Sequence, residues 1–332
     1  MSFHDDPLGP TSAPRTGYVT PDSGYTVQRG FGGGPRTPLP VPVIIASAVL
    51  FLVALGSLVV LVGRLFEYNP MVLNPLMANL WLVFKSGIIA VSAAAAAAVV
   101  LLGREWSRVF AIAVSGIVLC GNLYEGLFYS MPMFLVPFAP LTQVALALAA
   151  LVLLCLPKVS TWHYEKRQDQ NRSPFAPPGS GTQAAPAKPA AFHVAAVLLF
   201  AIGLLLLGYS AIQFVFVHFS FELWPKFAGV EFAVGISAIA LGGLTFSANG
   251  IARLLAIAVA GATAWTGFDT MAVNVLYAAD WGIYDGLYDV RYWIALVLLL
   301  LSAIVAAVLL VILASHRCTD WVHEQHAVKP SR

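Results

Sequence analysis

Residues 108–116 read RVFAIAVSG and residues 253–261 read RLLAIAVAG, six of nine positions identical at a spacing of 145. An AIAV run costs little in any apolar helix, so the spacing gains meaning only from what surrounds it. Four apolar runs precede residue 160, a polar stretch follows, and four more apolar runs complete the chain. The two quoted stretches open the third run of each set. A second match stands at the end of each set, KVSTWHYE (158–165) and RCTDWVHE (317–324), which share a basic residue, Ser or Thr, Trp and Glu at equal positions. Its spacing is 159, because the loop before the last run is longer than the loop before the fourth.

The class of protein follows from composition. Of 332 residues, 59% are hydrophobic and 10% are charged, and the mean hydropathy is +0.81, well beyond soluble domains. A bilayer core of about 30 Å needs about 20 apolar residues per helix. Spans are predicted at 41–66, 76–102, 107–128, 133–156, 191–219, 226–247, 251–276 and 291–314. The third and seventh are the weakest, interrupted near one end by Gly121-Asn122 and by Gly267 to Asp269. The expected fold is an all-α integral membrane protein of about eight transmembrane helices in two tandem four-helix repeats. An even number of spans per unit makes the repeats parallel. The divisions are a disordered tail over 1–40, a first repeat over 41–162, a flexible linker over 163–190, a second repeat over 191–321 and a C-terminal tail over 322–332.

Lys and Arg are retained on the cytoplasmic side. Both tails, the linker and the short loops 2–3 and 6–7 hold 14 of the 18 basic residues, which places both termini in the cytoplasm of an inner (plasma) membrane. Arg108 and Arg253 are then positive-inside anchors of equivalent helices, with Trp162 and Trp321 as matching anchors at the helix exits. No cleavable signal peptide is evident, because the first apolar run continues to a full span. The net charge of +2 calls for no nucleic acid.

The first 40 residues are rich in Pro, Gly, Ser, Thr and Tyr, as in TGYVT (16–20) and GFGGGPRTPLPVP (30–42), and lack a core. That tail, ahead of Ala/Val/Leu-rich helices opened by an arginine in REWSR (104–108) and NGIAR (249–253), resembles uncharacterised multi-pass membrane proteins of actinobacteria. The resemblance implies an inner-membrane location and carries over no catalytic residue.

Charges inside a span are costly and usually mark something. Lys85 in WLVFKSGII and Glu231 in FAGVEFAVG are the two that stand out, and the spacing of 145 places them at nearly equal depth. The preferred reading pairs them as an intramembrane ion pair between the repeats; the plain alternative is that each snorkels to the outer interface. Glu125 and Asp269 are again one position apart under the same spacing. With Asp280, Asp285 and Asp289 of the aromatic segment YAADWGIYDGLYDVRYW (277–293) they form a candidate exoplasmic vestibule. Those carboxylates fit no EF-hand spacing, and HRCTDWVHEQH (316–326) fits no zinc pattern. No metal and no cofactor are expected. No P-loop, nucleophile elbow or dinucleotide fingerprint occurs in a credible context, so an enzyme is not expected. The functional expectation is a non-enzymatic membrane subunit or scaffold with lipid and protein partners. The alternative is a transporter of a small molecule or ion with its site between the repeats.

Overall fold

Runs rich in Ala, Leu and Val favour helix, and a helix satisfies every interior backbone N–H and C=O within its own segment. The computed structural model describes residues 38–67, 76–128, 139–171, 189–217, 224–247, 250–281 and 290–315, with Cys318 and Trp321. It contains α1 (Val41–Glu67), α2 (Leu76–Val100), α3 (Glu105–Phe128), α4 (Ala139–Cys155), α5 (Pro157–Asn171), α6 (Ala190–Ile212), α7 (Trp224–Phe246), α8 (Gly250–Trp281) and α9 (Val290–Leu313). A single π-turn, Gln213–Val217, continues α6. Among the described residues every element is helical and no strand occurs. Residues 1–37 of the predicted tail, 172–188 of the linker and 322–332 lie outside the described set.

Seven helices, all but α4 and α5, are long and apolar enough to cross a membrane, and α4 with α5 makes an eighth candidate bent by 59°. Proline sets the bend. Pro157 has no N–H to offer α4's ladder, and its ring cannot follow the preceding turn. Leu156 N–H therefore closes a tighter bond on Leu153 O at 3.3 Å, and Pro157 becomes the first residue of α5. The polar stretch through residue 171, which includes the start of the predicted linker, is thus helical.

The third and seventh runs are not interrupted where the sequence is weakest. Asn122 Nδ2 donates to Val118 O at 2.9 Å, so its amide is spent on its own helix. Gly267 lies against α9, where an added Cβ would be 2.9 Å from Ala303 Cβ and 3.0 Å from Leu299 O. Helix α8 continues through both Gly267 and Asp269 to a length of 32 residues.

Helix packing follows one order in each set. Helix α1 packs on α2 and α4, and α3 packs on α2 and α4; likewise α6 packs on α7 and α9, and α8 packs on α7 and α9. Small residues make the tightest of these contacts. Ala93, Ala96 and Ala97 of α2 are buried and Ser47 of α1 donates to Ala97 O at 2.7 Å, while Gly203 of α6 faces Gly235 of α7. The two sets meet chiefly through α3 and α8, which with equal burial are the innermost of the long helices. Their crossing is reciprocal. A Cβ on Gly116 would run into the Ala258 carbonyl, and one on Gly261 would stand 2.7 Å from Ala113 O. Between α2 and α3 the chain turns at Gly103, whose φ of +67° suits glycine and whose open face is covered by Trp162 and Lys166 of α5.

Outward faces are apolar on all seven long helices and on α4. Phe51 and Val59 on α1, Phe84 and Val91 on α2, Leu204 on α6, and Ile304 and Val311 on α9 are exposed, while Lys85, Arg108, Glu231 and Arg253 are buried. Soluble domains show the reverse distribution.

Candidate functional site

Polar side chains gather at two levels of the interface between the sets. At the first, α2 presents Trp81 and Lys85, one turn apart on one face, and α8 presents Asp269. Lys85 Nζ donates to Asp269 Oδ2 at 2.5 Å, and Trp81 Nε1 donates to Asp269 Oδ1 at 2.9 Å, so both carboxylate oxygens are engaged. Phe268 meets the Trp81 ring edge-on with centroids 5.5 Å apart. Removing one member of such a pair leaves a buried charge, at a cost of about 3–5 kcal/mol.

Glu231 of α7 is also buried at this interface, within electrostatic reach of Asp269. Its Oε1 accepts a long hydrogen bond of 3.4 Å from Thr270 Oγ1, and its Oε2 has no hydrogen-bond partner. The ion pair predicted between Lys85 and Glu231 is therefore made instead between Lys85 and Asp269. Equal depth does not fix which way a side chain faces, and α8 lies between α2 and α7 in the packing order. Asp269 is accordingly turned toward Lys85 and only partly accessible, its side chain 15% exposed. The snorkelling alternative for Lys85 fails as well, because its side chain is 5% exposed.

The second level is at the opposite end of α3 and α8, near their first residues. Arg108 Nε donates to Leu154 O at 2.9 Å, and Arg253 Nε donates to Leu313 O at 3.0 Å. Both acceptors belong to the last turn of a helix, α4 and α9, where backbone carbonyls lack intrahelical partners and the dipole favours a cation. The two arginines, expected as positive-inside anchors of equivalent helices, are buried and cap neighbouring helix ends. Arg253 Nη2 also pairs with Glu105 Oε1 at 3.6 Å. Arg108 Nη2 is buried and has no hydrogen-bond partner.

Beside this level, Trp162 is buried with Val43 and Val159 and carries Lys166 Nζ 4.9 Å above its ring. Trp321 packs on Phe192 with centroids 5.3 Å apart.

Compared with known protein families, curated proteins and solved structures, the chain matches none of them.

Of the predicted vestibule, only the Asp269 side chain is described. Glu125 and Asp280 lie on α3 and α8 with their side chains outside the described set, and Asp285 and Asp289 lie outside it altogether. Among the described residues no group of three or more His, Cys, Asp or Glu side chains is placed to hold a metal ion. Trp81 and Glu105 are the two site residues the sequence reading missed. A signal for the first was present: WLVFK (81–85) and WTGFD (265–269) share a W-x-x-F pattern before opposite charges. For the second, Glu105 and Gly250 are the first residues of α3 and α8 and stand 145 apart, so the carboxylate has no counterpart.

Proposed function

We propose that the chain is a multi-pass integral membrane protein of two tandem, parallel four-helix repeats, with both termini in the cytoplasm of a cell (plasma) membrane. In this reading it serves as a non-enzymatic subunit or scaffold of a larger membrane assembly. Apolar outward faces and buried charges support the membrane setting. Duplication is supported by contacts that obey both sequence spacings. A shift of 145 relates Arg108 to Arg253, Gly116 to Gly261 and Ala113 to Ala258, and a shift of 159 relates Leu154 to Leu313 and Trp162 to Trp321. The arginine caps and the glycine crossing are made between those related residues.

One observation carries the scaffold reading: the backbone-on-backbone crossing of α3 and α8 at Gly116 and Gly261. Rocking of one repeat against the other would unseat both glycines and strain the Lys85–Asp269 pair. A fixed helical body suits an assembly surface better than alternating access. The test is affinity purification of the tagged full chain from gently solubilised membranes. A stoichiometric protein partner is expected; a chain that purifies alone and moves a solute across proteoliposomes contradicts the proposal.

A second reading, an ion or small-molecule transporter with its site between the repeats, is favoured by the unpartnered Glu231 Oε2 at that interface. It requires that Glu231→Gln abolish flux in proteoliposomes while leaving the protein folded.

A further inference from the structure

The two arginine caps differ in one respect that duplication alone does not explain. Arg253 has a carboxylate, Glu105, from the first residue of α3. The reciprocal position for Arg108 is the first residue of α8, which is Gly250. Arg108 is 6% exposed, its Nε caps Leu154 O, and its Nη2 has no protein partner. Cys155, Arg253 and Glu105 all lie near enough to act on its charge, and the one carboxylate among them already pairs with Arg253. A carboxylate in this position could neutralise itself by taking up a proton, but a guanidinium stays charged at any physiological pH. Burial of such a group calls for an anion, and its planar donor edge is suited to phosphate oxygens.

We propose that Arg108, whose reciprocal carboxylate position is held by Gly250, binds an oxyanion of the phosphate class through its unpartnered Nη2. A phospholipid headgroup and inorganic phosphate both present this chemistry. The headgroup as its source rests on the proposed membrane setting, whereas the oxyanion itself does not. Exposed Trp106, two residues before Arg108 in the first turn of α3, is a side chain that favours the headgroup level.

The experiment uses the full chain purified in mild detergent and reads thermal stability in three arms. One adds inorganic phosphate against chloride at equal ionic strength, and the second dopes the micelles with phosphatidylglycerol against phosphatidylcholine. The third repeats both with variants. Wild-type protein is expected to be stabilised by phosphate, by phosphatidylglycerol or by both, and the responding arm identifies the source. Gly250→Glu supplies the missing carboxylate from within, and is expected to weaken the response about tenfold or more while the untreated protein is as stable as wild type. Arg108→Gln should also lose the response, and Gly250→Glu keeps the test decisive if Arg108→Gln fails to fold. A wild type that responds to neither anion beyond its control overturns the proposal, as does a Gly250→Glu variant that responds like wild type. Failure of the membrane reading would show separately, as a chain recovered from the soluble fraction without detergent, and the phosphate arm would still report on the site.

Discussion

A lysine one turn from a tryptophan on α2 and an aspartate one turn from a tryptophan on α8 meet at 2.5 Å, with the Trp81 indole on the remaining carboxylate oxygen. Two consequences can be measured at this scale. Lys85→Met leaves Asp269 buried without its cation and should destabilise the protein by about 3–5 kcal/mol in detergent unfolding. Adding Asp269→Asn should restore most of the loss, whereas adding Glu231→Gln should restore none of it. Equal rescue by both second substitutions would mean that Lys85 is shared between the two carboxyls. Arg108 and Arg253 permit the second measurement. Each caps the end of a neighbouring helix, so Arg253→Gln should cost about 1.5–3 kcal/mol for the lost charged hydrogen bond to Leu313 O. Arg108→Gln should cost less if no anion is bound, because the substitution also removes an unpaired buried charge.

At the scale of helices, the crossing of α3 and α8 gives the sharpest expectation. Gly116→Ala and Gly261→Ala place a methyl group against a partner backbone that has no flexible end to yield, and each should cost about 1–3 kcal/mol. Gly63 and Gly243 have nothing within 4 Å of an added Cβ, so the same substitution there should be neutral or gain up to about 1 kcal/mol in helix propensity. Thermal unfolding of the four variants side by side checks the contrast. Most of the helices were legible in the sequence because runs of about 20 apolar residues admit few alternatives. The breaks were less so. Gly121-Asn122 and Gly267 to Asp269 look like interruptions in one dimension, yet Asn122 bonds within its helix and Asp269 is satisfied by another one. Pro157 acts in the opposite sense, ending α4 after 17 residues and starting a polar helix that the apolar pattern did not announce.

At the scale of the whole molecule, the spacings of 145 and 159 carried more than the composition did. They relate residues whose contacts recur in the structure, the arginine caps and the glycine crossing. A spacing fixes depth along a bundle but not rotation about each helix axis, which is why it brought Lys85 level with Glu231 and still missed Asp269. It is equally silent where the two halves differ, as at Glu105 and Gly250, and those differences are where the candidate chemistry lies. The central claim is that two parallel four-helix units cross a membrane together. Cysteine-accessibility mapping tests it most directly, with single cysteines at Arg104, Asn249, Ser130 and Gly286 introduced into a background lacking Cys120, Cys155 and Cys318 and probed in intact cells with a membrane-impermeant thiol reagent. The account predicts that Ser130→Cys and Gly286→Cys label from outside, while Arg104→Cys and Asn249→Cys label only after the membrane is opened. Labelling of Arg104→Cys and Asn249→Cys from opposite sides would contradict it.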